Sequence, residues 1–269
     1  MRRKAALAVL TLIAALLLVP VYAHEEGAAS PASDNLEHQL WASSLKVLLA
    51  VSIISGLFLL AALSMPTAPD MHKTIMFFGI AIPLILGTIY LAGTTMYLNA
   101  IAETNGPVHW HADFEIWRCG EKLVLAKPSG LSNRIGSESV HEHGDSRMHI
   151  EGVVVKKGDV SLHHFFEAVG GSLTDKELAM PTDSGMVSAH NGDTCSDGTP
   201  GILQGFVYKT QNSVVKQEKL ADPENYVLSP YSQVPPGDCI IIEFGQKKEK
   251  TEHVCETYRH KMTGESHGS

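Results

Sequence analysis

The chain has 269 residues, 44% of them hydrophobic, a formal net charge of −8 and 14 histidines. Its mean hydropathy near zero averages two unlike parts: the long apolar runs lie before residue 102, and the remainder has the composition of a soluble domain. An acidic balance with no basic cluster beyond the first four residues argues against nucleic acid, and against an anionic membrane surface, as partners.

Met1-Arg2-Arg3-Lys4, the apolar stretch Ala5 to Val19 and the small-residue end Val21-Tyr22-Ala23 have the layout of a secretory signal peptide, residues 1–23. An uncleaved signal anchor is the other reading, and both place His24 outside the cytoplasm. Residues 24–46 are expected to form an external stalk, polar and mobile over its first half. The apolar runs Val47 to Met65 and Ile75 to Leu98 hold 19 and 24 residues, and at 1.5 Å per residue each crosses a hydrocarbon layer of ~30 Å. The short polar connector, residues 66–74, makes 47–101 an antiparallel transmembrane hairpin. Neither run has an ionisable residue in its middle, so an anchor in membrane lipid is favoured over a transporter. Thr88, Thr94 and Thr95 can bond back to the preceding turn. Arg2, Arg3 and Lys4 are a strong positive-inside signal and Lys73 a feeble one, and counting outward from the signal segment predicts a multi-pass cell-membrane protein with residues 66–74 cytoplasmic and everything after about residue 102 extracytoplasmic.

Residues 102–245 are read as that external domain and 246–269 as a charged tail, loose apart from Cys255. From Val108 to Arg118, Trp110, Ala112, Phe114 and Ile116 alternate with His109, His111, Asp113 and Glu115, the pattern of a half-buried strand. Cys119-Gly120-Glu121 is a turn and Lys122 to Ala126 a returning strand. Met148 to Val155 is a further strand. Leu162, Phe165, Phe166 and Val169 follow i, i+3, i+4, i+7 behind an N-cap at Asp159 or Ser161, with Gly170 or Gly171 as the stop, which predicts a core-facing helix. Strands follow at Leu203 to Lys209, Val214 to Lys216 and, behind Pro235-Pro236-Gly237-Asp238, Cys239 to Phe244. The expected fold class is α+β, a mixed sheet covered by one helix. The order hairpin, helix, strands, with an apolar strand last, resembles a β-grasp domain. Cys119, Cys195, Cys239 and Cys255 all fall in this part, and an even number there favours two disulfides over thiolate ligands. Their spacing leaves the pairing open.

The histidines are not scattered. His109-Trp110-His111 and His141-Glu142-His143 share a one-residue gap, and His149-Ile150-Glu151 follows six residues after the second pair. Residues i and i+2 of a strand project from one side, about 6.5 to 7 Å apart, which lets imidazoles converge on an ion. Neutral imidazole suits copper and zinc, and carboxylates complete or orient such sets. His109, His111, His143 and His149 are the expected metal ligands, with His141 and Glu151 as alternates or supports. His141, His143 and Asp145 are expected on a Gly-flanked loop folding over the strands. Copper is favoured by intrinsic affinity, zinc by availability and geometry.

These motifs, with Leu162-x-x-Phe165-Phe166, resemble a group of membrane-anchored extracytoplasmic bacterial and archaeal proteins of unassigned activity, over residues 107–174. That group carries Asp directly after the second His of the pair, whereas here Gly144 intervenes before Asp145. The resemblance implies a shared histidine site without naming its chemistry.

Two other readings stand beside metal binding. A metal-dependent hydrolase would need a general base, for which Glu151 or Asp113 is available, and a metal-bound water. A non-catalytic interaction module would carry the histidines incidentally. No residue is assigned a catalytic role. His24 could chelate copper if it became the N-terminus. His163 and His164 are expected to face solvent, and His253, His260 and His267 to lie in the tail. Asn191 to Gly198 is expected to be a turn rather than a calcium loop, since the Glu of an EF-hand is missing.

Overall fold

A computed structural model describes residues 36–128, 133–212, 214–228 and 237–263. The signal segment 1–23, His24 and the rest of the stalk to residue 35, Pro235-Pro236 and His267 lie outside the described residues. The chain divides into two compact units, Met1–Leu98 and Asn99–Ser269.

In the first unit, α1 (Leu36–Ser64) and α2 (Asp70–Ile101) are long and apolar enough to cross a membrane. Helix α1 begins well before the apolar run at Val47, so the second half of the expected stalk is helical. Its residues are mostly good helix formers with no Gly or Pro before Gly56. The two helices touch where α2 has no side chain: a Cβ at Gly79 would meet the Phe58 ring at 2.4 Å, and one at Gly87 would meet Val51 at 2.9 Å. Rising numbers on α1 thus meet falling numbers on α2, an antiparallel pair with glycine at the close approach. Leu57, Phe77 and Ile89 are more than half exposed. Thr88, Thr94 and Thr95 donate to the carbonyls of Leu84, Tyr90 and Leu91, which satisfies their hydroxyls within the helix.

The second unit is built on an eight-stranded sheet. Its strands are β1 (Pro107–Arg118), β2 (Glu121–Leu123), β3 (Ile135–Gly136), β4 (Val140–Glu142), β5 (Arg147–Val153), β9 (Ile202–Gln211), β10 (Val214–Leu220) and β11 (Asp238–Gly245). They run in the order β10-β9-β11-β1-β5-β4-β3, with β2 paired to β1. The two longest-separated strands, β1 and β11, lie side by side and parallel at the centre, Phe114 opposite Ile240 and Ile116 opposite Ile242. Every other pairing in the sheet is antiparallel. A 3-10 turn (Lys157–Val160) leads into α3 (Leu162–Ala168), whose N-cap is Ser161. Leu162, Phe165, Phe166 and Val169 are buried with Trp110, Ala112, Phe114 and Ile116 in one core, so the periodicities of helix and strand meet face to face. Burying each large apolar side chain stabilises by roughly 1.5–3 kcal/mol.

Three features differ from the sequence expectation. The loose tail fails over 246–263: Thr251, Cys255 and Tyr258 are buried, and α4 (Glu256–Thr263) is a second helix in the domain. Cys255 and Tyr258 form a second core with Phe206, Tyr208, Cys239 and Ile241 on the other side of the sheet. Charge kept the sequence pattern polar, yet the few apolar residues fall where β9 and β11 need cover. The second difference is a separate three-stranded sheet, β6 (Ser172–Leu173), β7 (Glu177–Thr182) and β8 (Gly185–His190). Finally, β4 is a strand where a loop was expected. Disulfides join Cys119 to Cys195 and Cys239 to Cys255.

Candidate metal centre

Strand β5 lies between β1 and β4, and its register determines the site. His149 pairs directly with His111 on one side and with His141 on the other. Directly paired residues of neighbouring strands share a sheet face, so three imidazoles stand in a row across three strands. His109 is two residues from His111 on β1, and His143 just beyond β4 completes the set. Ring centroids are 4.5 Å apart for His109–His111, 4.6 Å for His111–His149, 4.9 Å for His141–His143 and 4.8 Å for His143–His149. Strand β3 covers His141: at Gly136, φ is 119° and a Cβ would lie 2.9 Å from the Cα of His141, so only glycine permits that approach.

Two groups of three could hold a metal ion, His109 with His111 and His149, and His141 with His143 and His149. Within each, one ligand atom per residue lies within 4.8 Å of the others. Tetrahedral ligation at 2.0–2.1 Å separates ligand nitrogens by ~3.4 Å, a closure within the reach of side-chain rotation. His149 belongs to both groups.

The electrostatics favour neutral imidazole. Burial, then the neighbouring His111, pushes His149 down to about 4, with His143 and His141 acting in the same direction against the pull of Asp145. Burial likewise lowers His141, and burial followed by His109 lowers His111. A neutral ring offers a lone pair at a pH where an ordinary histidine is partly protonated. Both ring nitrogens of His149, and Nδ1 of His141, are buried with no hydrogen-bond partner among the described residues. Buried polar atoms are normally paired, and these belong to the rings at the centre of the cluster.

Neighbouring groups orient two of the outer rings. His143 Nδ1 lies 2.7 Å from the Asn133 carbonyl, which requires the proton on Nδ1 and leaves the Nε2 lone pair for a ligand. His109 Nε2 lies 3.0 Å from Glu151 Oε1, which leaves Nδ1 in the same position. Glu151 joins neither group of three. The second carboxylate of interest, Asp113, is held by Arg147 Nε at 2.6 Å and by the Thr257 hydroxyl, so it is unavailable as a base beside the histidines. Asp145 Oδ2 is 3.8 Å from His149 Nε2, too far for a hydrogen bond.

No family model, no curated protein and no solved structure matches this chain. Its chemistry therefore rests on the cluster itself.

Several of the other described histidines have local partners. His163 is half-buried rather than solvent-facing, with Nδ1 2.7 Å from the Leu173 carbonyl; His164 Nδ1 lies 3.0 Å from Ser161 Oγ. His253 stacks on Trp117 with centroids 3.6 Å apart. In the Asn191–Gly198 segment, Asp193 accepts from the His190 amide and Asp197 from the Thr199 amide and hydroxyl, the bonding of a turn.

Proposed function

We propose that this chain is a membrane-anchored extracytoplasmic protein that binds a transition metal, copper or zinc, through His109, His111, His141, His143 and His149. The observation that carries this reading is His149, whose two ring nitrogens are buried and unpartnered among the described residues, whose ring meets those of His111, His141 and His143, and which is grouped with His109 as well. An all-nitrogen donor set suits both metals. Cysteine does not compete, since all four thiols are in disulfides, and such bonds persist outside the reducing cytoplasm. The two apolar helices supply the anchor. The strand order β9-β11-β1-β5, with the first and last strands parallel in the middle and a helix crossing between, supports reading the domain as β-grasp-like. Glu151 orients His109.

The test is the metal content of the full chain in detergent, loaded with copper or zinc and dialysed against a weak chelator. Retained stoichiometric metal in the wild type, and its loss in His149→Ala, is expected. Equal metal in the two proteins overturns the reading.

A further inference from the structure

His149 is the middle residue of the row, with His111 across the β1 pairing and His141 across the β4 pairing. The remaining ligands follow the same division: His109 stands beside His111, and His143 beside His141. The cluster is thus two histidine pairs on opposite flanks of one shared ring. A single ion satisfies one nitrogen of that ring and leaves the other buried and unpaired, for Asp145, the carboxylate at 3.8 Å, is beyond hydrogen-bond distance. An ion on each flank, each bound to its own nitrogen of the His149 ring, would satisfy both.

Resting on the metal-binding reading, we infer that the cluster holds two transition-metal ions at once, one with His109 and His111, the other with His141 and His143, bridged by the imidazolate of His149. Two divalent ions and one neutral ring give the bridged pair and one proton, released to solvent. With ~2.0 Å bonds at either end of the ring, the ions lie ~6 Å apart. The two positions differ in access, because His141 is 2% exposed while the His109 side chain is 63% exposed. The outer position is the one that exchanges with solvent or with a metal donor.

The experiment is a copper(II) titration of the full chain in detergent, followed by electron paramagnetic resonance and by total bound copper. Two ions are expected, with an integrated signal at saturation well below that of two isolated ions, because the bridge couples their spins. The double variant His109→Ala/His111→Ala and the double variant His141→Ala/His143→Ala should each bind one ion fewer and recover the full signal per ion. Tail histidines that bind copper add uncoupled signal and do not mimic this loss. One ion in the wild type, abolished by either double variant, overturns the bridged pair and leaves the metal-binding reading intact. Two ions with full signal also overturn it. No ion in the wild type removes both.

Discussion

The rings of His141 and His149 lie parallel, 3° between their planes and 5.4 Å between centroids, on directly paired residues of β4 and β5. His111 meets the same His149 ring edge-on from the other flank, at 84°. His149→Ala therefore removes a ligand from both groups, His111→Ala from one. Bound metal measured by mass spectrometry should fall to background in the first and partly in the second. His163→Ala, whose ring bonds the Leu173 carbonyl, should leave the metal content unchanged.

The Glu151 carboxylate sits 3.0 Å from His109 Nε2 and outside both groups of three. Partners of this kind fix the tautomer of a ligating histidine and raise its basicity, and their loss costs about 10–100-fold in metal affinity. Glu151→Gln keeps the size and removes the charge. A competition titration against a chelator of known strength should show a loss in that range, with the number of sites unchanged.

Acid acts on the metal-free domain through His149. Its value in the folded protein is about 4, against roughly 6.5 for the unfolded chain, so between those limits the unfolded state binds more protons and stability falls as the pH falls. His111 and His141 are lowered too and add in the same direction. Thermal melts in chelator should show a midpoint nearly constant above pH 6.5 and dropping toward pH 4, with a shallower drop in His149→Ala. Metal retention should outlast that of an ordinary histidine site on acidification, since protons compete weakly for depressed imidazoles.

The site was more legible in the sequence than the layer that frames it. Strict alternation along β1 assigned Trp110 and His111 to opposite faces without any knowledge of the neighbours, because a strand's two-residue period is a local property. The role of His141 was not local: β4 is three residues long and owes its existence to pairing with β5 and β3, which no window of sequence displays. The same holds for β7 and β8. Leu178, Met180 and Ala189 are buried, and Leu178-x-Met180 before Thr182-Asp183-Ser184-Gly185 is a hairpin signal that was there to be read. The C-terminal segment was hidden by its charge. Thr251, Cys255 and Tyr258 are isolated among lysines and glutamates, and only their docking on β9 and β11 reveals them as core.

The Cys239–Cys255 bond fastens that segment to the sheet, spanning 16 residues of sequence. Closing a loop of this size constrains the unfolded chain by about 3 kcal/mol. Cys239→Ala/Cys255→Ala should lower denaturation stability by an amount of that order and expose Tyr258 to solvent. Tryptophan fluorescence should change as well, because His253 stacks on Trp117 from the same segment. The histidine cluster draws on β1, β4 and β5, so metal stoichiometry at low temperature should survive.

The topology is testable on cells. Under the proposed anchoring, α1 and α2, each long and apolar enough to cross a membrane, would return the chain to the side from which it entered and put the domain after Ile101 there. Disulfides persist in oxidising compartments, so the two bonds of the domain agree with an extracytoplasmic side in that proposal. Protease added to spheroplasts should therefore remove the domain and leave a hairpin fragment in the membrane. A thiol reagent applied to the denatured, unreduced protein should find no free cysteine. Full protection of the domain together with four reactive thiols would place it in the cytoplasm, and the metal would then have to be drawn from an intracellular supply.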